Sequence, residues 1–162
     1  TTAIASTVGI HALLQNPSEL ERLRADRSLM LTAVDELMRY AMGSFAMPRY
    51  ALNDFELRGQ QIKKGQLLLL SFMGAHRDPA AFPDPDRLDL GRDTRNMVQF
   101  GRGAHYCLGA NLARQELSWI YEAALDFLPR EAKVVEHQIE KSRIGIFSRM
   151  ETLPIDFGTG RA

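Results

Sequence analysis

Apolar residues recur at helical spacing through the first 41 positions, gather into short runs between turn residues from 49 to 72, and return to helical spacing after 108. Ile4, Val8 and the Ile10 to Leu14 stretch suit a mostly buried helix over residues 1–15. Asn16-Pro17-Ser18-Glu19 then reads as a helix start, with Asn16 as N-cap, Pro17 at the first helical position and Glu19 reaching back as in a capping box. That short, charged helix ends near Asp26. A third helix is expected over 28–41, with Leu31, Val34, Leu37, Met38 and Ala41 as its apolar stripe.

The β region spans 49–72. Asn53-Asp54 supplies a turn between Tyr50 to Leu52 and Phe55 to Leu57, and Lys63-Lys64-Gly65 supplies another before a buried run, Leu67 to Phe72. Prolines and charges exclude long regular structure after residue 78, so 78–99 reads as an ordered meander anchored by Phe82, Leu88 and Leu90. A long helix over 108–128 is the best-marked element: Ala113, Leu117, Ile120, Ala124 and Phe127 keep helical spacing until Pro129. Residues 143–157 alternate weakly around Gly145, as a closing β-hairpin does.

Twenty basic and twenty acidic side chains give zero formal net charge, so no global field draws the chain to nucleic acid or an anionic membrane. The single cysteine excludes an internal disulfide and fits a reducing, cytoplasmic compartment. The longest apolar run, Leu67 to Leu70, is far too short to cross a bilayer. The chain opens Thr1-Thr2-Ala3-Ile4 with neither an initiator Met nor a capping signal, and we expect the numbering to begin inside a longer protein.

That one cysteine, Cys107, lies between a glycine-rich turn and a helix start, in Phe100-Gly101-Arg102-Gly103-Ala104-His105-Tyr106-Cys107-Leu108-Gly109. N–H groups at a helix start favour a thiolate over a thiol, which makes Cys107 a candidate ligand for a heme iron. On the residues alone, a small buried hydrophobe is the competing reading. His105 and Cys107 also form an H-x-C pair, but a structural zinc wants four ligands and no second cluster exists. A Cys–His nucleophile lacks a marked orienting Asn or Asp.

As a whole, this stretch resembles the cysteine-ligand loop of the cytochrome P-450 heme-thiolate monooxygenases, with Phe100, Gly103, His105, Cys107 and Gly109 on that family's pattern. The resemblance covers essentially all 162 residues, which correspond to the C-terminal, ligand-bearing part of the family's single domain and less than half of it. It implies a mainly α fold with small β-sheets, here only partly represented, and heme b, iron protoporphyrin IX, bound through Cys107, with Phe100, Gly101, Gly103 and Gly109 lining the ring. His105 and Arg49 match the family's propionate-binding positions. Glu36 and Arg39, an E-x-x-R pair on one helix face, would join Arg87 of the meander in a buried ionic triad. Leu88 stands where the family usually has Phe.

By its spacing to Asn16-Pro17, Thr1 aligns with the distal-helix threonine used in proton delivery to dioxygen. Gly43, Ser44, Phe45, Ile146 and Phe147 would face a small organic substrate, Gly43 replacing a common proline. Arg102 and Arg114 would face an electron-donor protein of ferredoxin or flavodoxin type. His11, His76 and His137 match no ligand position. The implied activity is hydroxylation with dioxygen and two delivered electrons. A peroxide-using heme-thiolate enzyme and a shortened chain that binds heme weakly or not at all are the alternatives.

Overall fold

A computed structural model describes residues 1–42, 46–144 and 147–158. Five α-helices and four two-stranded antiparallel ladders form it. The first helix, α1 (Thr2–Gln15), is apolar on nearly every side, and it packs against α3 (Met30–Ala41) and α5 (Ala110–Phe127), which also pack on each other. Ala5, Leu13, Val34, Leu37, Leu117 and Tyr121 make the centre of this three-helix core, and Leu23, from the helix between α1 and α3, joins the same buried cluster. Gly9 lets the Tyr121 ring lie against α1, where its hydroxyl donates to the Ala5 carbonyl at 3.0 Å. Burial pushes the Tyr121 phenol pKa up.

The α1–α2 corner departs from the expected capping. Asn16 caps no N–H of α2 (Pro17–Ala25); its Nδ2 donates back to the Ala12 carbonyl at 2.8 Å, because a one-residue corner leaves the last turn of α1 within reach. Glu19 reaches the meander instead, accepting the Leu90 N–H at 2.9 Å and pairing with Arg22. A 3-10 turn, Arg27–Leu29, precedes α3, with the Asp26 carboxylate accepting the Ser28 N–H. Leu31, expected in the apolar stripe, is 63 % exposed, while Val34, Leu37 and Met38 are buried.

Strand β1 (Ala46–Tyr50) pairs with β4 (Leu67–Ser71), and between them β2 (Phe55–Leu57) pairs with β3 (Gln60–Ile62). The register Arg49↔Leu68 puts Met47, Arg49, Leu68 and Leu70 on one face and Pro48, Tyr50, Leu67 and Leu69 on the other. The β2–β3 turn uses Arg58 and Gly59, both at positive φ, the geometry that suits a tight hairpin. The expected burial of Leu67 to Phe72 fails over the strand: Leu67 and Leu69 are each 59 % exposed, and burial begins only at Phe72, in α4 (Phe72–His76). The other described elements leave this face uncovered.

The meander is anchored as expected, with Phe82, Leu88 and Leu90 buried. The closing region is two ladders rather than one hairpin. β6 (Lys141–Ile144) pairs with β7 (Phe147–Met150), whereas β8 (Ile155–Asp156) returns to β5 (Lys133–Val134). Phe127, placed in the core by its spacing, is 59 % exposed and meets Phe157 edge-on at 5.4 Å. No helix among the described residues is long and apolar enough to cross a membrane.

Candidate functional site

The cysteine loop is built from two left-handed glycines and one backbone bond. Gly101 and Gly103 hold φ of 73° and 70°, a region where a Cβ is strained. The turn they permit brings the Cys107 N–H to the Phe100 carbonyl at 2.8 Å, closing the loop. Gly109 differs: its φ is −86°, so it is not needed for the turn, and a Cβ there would meet no protein atom within 4 Å. The Cys107 carbonyl accepts the Ala110 N–H at 3.2 Å, which sets the cysteine one turn ahead of the start of α5. Cys107 is a free, exposed thiol.

A cavity of about 520 Å³ opens beside it. Of the expected site residues, Thr1, Arg49, Phe100, Gly101, Arg102, His105, Cys107 and Gly109 line it, from a helix start, a strand and the loop. Gly103 shapes the loop from outside the cavity. Gly43, Ser44, Phe45 and Ile146 lie outside the described residues; Phe147 begins β7, where only its backbone is described. The remaining wall, from α1, α3, α4 and α5, is mostly apolar, with Met38, Phe72, Leu112, Ala113 and Leu117.

Three polar side chains on that wall carry no signal in the sequence reading. Thr2 donates to the Glu116 carboxylate at 3.2 Å, tying α1 to α5 across the cavity. Gln99 is 8 % exposed, and its Oε1 has no hydrogen-bond partner among the described residues. A buried carbonyl oxygen without a donor costs ~1–3 kcal/mol, so a hydrogen-bond donor within the cavity would relieve it. The apolar wall, the Cys107 thiol, the Arg49 and His105 donors and the bare Gly109 edge suit a flat, largely apolar ligand carrying carboxylates and a thiolate-binding metal. Heme has that chemistry.

Behind the loop, Glu36 and Arg39 are both buried, joined by Nε–Oε2 at 2.6 Å and Nη2–Oε1 at 2.9 Å. The expected third member, Arg87, is not part of the charged set. Its side chain is 65 % exposed and pairs with Asp89, while only its carbonyl turns inward to accept from Arg39 and Arg92. Arg92 takes the place, with Nε 3.1 Å from Glu36 Oε1. The reason lies in the chain path: Leu88 and Leu90 point into the core, sending Arg87 outward, and the Asp89–Arg92 turn brings the next arginine back to α3. Arg39 also donates to the His76 and Pro85 carbonyls, at 2.8 Å each.

His76 matches no ligand position in the sequence, and the structure gives it a structural place instead. It is fully buried, its Nε2 accepts the Val98 N–H at 3.0 Å, and its ring meets Phe82 edge-on. Burial, then the neighbouring Arg39 and Arg77 charges, lowers its pKa from 6.5 to about 4. A neutral imidazole thus holds the strand of chain entering the cysteine loop.

The two arginines expected to face a partner part company. Arg102 is exposed, with Nη2 on the Arg95 carbonyl at 3.1 Å. Arg114 turns inward, with Nε 2.7 Å from Asp35 and its guanidinium 4.5 Å from the Phe100 ring centroid. Its charge is engaged by α3 and the loop, so it is not a free surface cation.

The family model Cytochrome P450 matches residues 1–128. A steroid C26-monooxygenase of Rhodococcus jostii is 38 % identical over 160 residues, covering 98 % of this chain and 33 % of that protein. A vitamin D3 dihydroxylase of Streptomyces griseolus is 42 % identical over 130 residues, 80 % of this chain and 32 % of its own length. Among solved structures, the Bacillus subtilis cytochrome P450 PksS superposes with a TM-score of 0.89 at 33 % identity, over 96 % of this chain and 41 % of that one. The chain thus spans about a third of the length of the two curated relatives. A helix-rich fold with small sheets, a cysteine loop closed by two left-handed glycines, and this match over most of its residues agree: the chain belongs to the cytochrome P450 family.

Proposed function

We propose that this chain is the cofactor-ligating part of a heme-thiolate monooxygenase that hydroxylates a small organic substrate in a reducing, cytoplasmic compartment. The observation that carries the reading is the convergence of Thr1, Arg49 and the His105–Cys107 loop on one cavity from three separate parts of the sequence. When bound, heme b supplies the activation of dioxygen, using electrons from a ferredoxin- or flavodoxin-type donor. Cys107 Sγ would bind its iron. Arg49 and His105 would hold its carboxylates. Phe100, Gly101, Gly103 and Gly109 shape the loop against the ring.

Thr1, on the same cavity at the start of α1, would hold a proton at its Oγ1 for delivery into the pocket. The apolar wall excludes water and orients an apolar substrate, with Gly43, Ser44, Phe45, Ile146 and Phe147 completing the pocket. The exposed Arg102 faces the electron donor. A second reading, a chain that holds heme loosely and does not turn over, is favoured by the exposure of Cys107.

The test is the reduced protein under CO after loading with heme. The wild type gives a thiolate-type spectrum and Cys107→Ser abolishes it; survival in the variant would overturn the ligand assignment. Arg49→Ala speeds transfer of heme to apomyoglobin, and an unchanged rate would remove its role. Fast transfer from the wild type itself would favour the second reading.

A further inference from the structure

Arg114 lies seven residues beyond Cys107, in the second turn of α5, and touches three parts of the fold at once. Its Nε is 2.7 Å from Asp35 Oδ1 on α3. Its guanidinium stands over the Phe100 ring at 4.5 Å, and its Nη1 is 3.4 Å from the Tyr106 hydroxyl. Phe100 is 8 % exposed, its carbonyl is the acceptor that closes the loop on the Cys107 N–H, and Tyr106 is the residue before the cysteine. The two rings held by Arg114 therefore belong to residues at both ends of the hydrogen-bonded loop. Asp35 in turn precedes Glu36, so the same turn of α3 anchors the buried ion set and the loop brace.

We propose that Arg114, oriented by Asp35, is a positioning residue for the Cys107 ligand. It clamps Phe100 and Tyr106 so that the loop is held ready, and it sets a partly compensated positive charge beside the loop that carries the thiolate. A guanidinium over an aromatic face contributes ~0.5–2 kcal/mol, and its planar fork serves the carboxylate and the ring together, which an ammonium does not. This inference rests on the heme-thiolate reading for its electrostatic part; the brace itself does not need the cofactor.

The test uses the full chain with Arg114→Met, Arg114→Lys and Asp35→Asn, read in two ways. Without added heme, hydrogen exchange at the Cys107 amide rises about tenfold in Arg114→Met, the scale of the lost stacking and ion pair, and rises less in Arg114→Lys. With heme bound, reduction adds an electron, so removing the Arg114 cation lowers the iron potential while Asp35→Asn, which frees that cation, raises it. A brace acting by packing alone moves both variants the same way. Shifts of opposite sign support the proposal; shifts of one sign, or none, overturn its electrostatic half. Unchanged exchange in Arg114→Met overturns the brace. If no variant and no wild type takes up heme, the heme-thiolate reading has failed, and the exchange result alone decides the brace. Should Arg114→Met not fold, Arg114→Lys decides by the same exchange criterion.

Discussion

The charged core behind the cysteine loop and the β1–β4 sheet beside the cavity solve opposite problems. Glu36, Arg39, Arg92 and His76 are ionisable groups placed where water cannot reach, and nearly every polar atom among them is matched: Glu36 accepts from both arginines and the Asp89 N–H, and the arginines spend their other donors on meander carbonyls. Tyr50, Leu67 and Leu69 are apolar groups left facing outward. The difference teaches where rigidity is invested. Polar groups that pin the loop are over-determined, and the apolar sheet that borders the cavity is not.

The largest test breaks the charged core. Glu36→Gln leaves two buried guanidinium groups without a counter-charge, and losing one partner of a buried pair costs ~3–5 kcal/mol. Urea unfolding is expected to show that loss. The double variant Glu36→Leu with Arg39→Met removes one charge of each sign and is expected to lose less than the single change. Equal losses would mean that the carboxylate acts through packing rather than charge.

Acid sharpens the same side of the comparison through His76. The unfolded chain takes up a proton there below its ordinary 6.5, while the folded chain refuses it until about 4. Stability therefore falls as pH drops from about 6.5 to about 4 and levels off beneath, by on the order of 3 kcal/mol. His76→Gln, which still offers an acceptor to the Val98 N–H, is expected to flatten that slope. A slope unchanged in the variant would assign the acid sensitivity to other groups.

How much of this was legible follows from what each pattern encodes. Helix positions were readable because α3 and α5 carry apolar residues at 3.6-residue spacing and α1 is apolar along most of its length, and the loop was readable because its glycines and cysteine form one contiguous run. Arg92 was not, since periodicity says nothing about which arginine of an irregular segment turns inward; the signal was Leu88 and Leu90, two anchored neighbours that force Arg87 out. His76 was hidden for the same reason: its burial comes from the meander packing over it. The exposure of Leu67 and Leu69 was illegible because a strand rich in leucine on both faces reads as covered on both. Arg114 looked like a surface cation because its partners, Asp35 and Phe100, are remote in sequence.

A smaller effect tests the packing that joins α1 to α5. Gly9→Ala places a methyl carbon 2.7 Å from Tyr121 Cζ, so the helices must part or the ring must swing, costing ~1–3 kcal/mol. Because Thr1 and Thr2 line the cavity from the same helix, the variant is expected to loosen heme as well as lower stability. Tyr121→Phe in the same background relieves only the hydroxyl clash and restores part of the loss.

The smallest effect on stability is expected at the sheet. Leu67 and Leu69 lie on the face opposite Arg49, do not line the cavity and are each 59 % exposed. Charging both, as Leu67→Lys with Leu69→Lys, removes almost no buried area, so unfolding free energy should change by less than about 0.5 kcal/mol. The same change breaks a contiguous apolar patch with Pro48 and Tyr50, and such patches promote association. Sedimentation velocity over a concentration series should therefore show weaker self-association in the variant, with heme retention unaltered. A loss of several kcal/mol would instead mean that this face is packed in solution, and the contrast with the charged core would disappear.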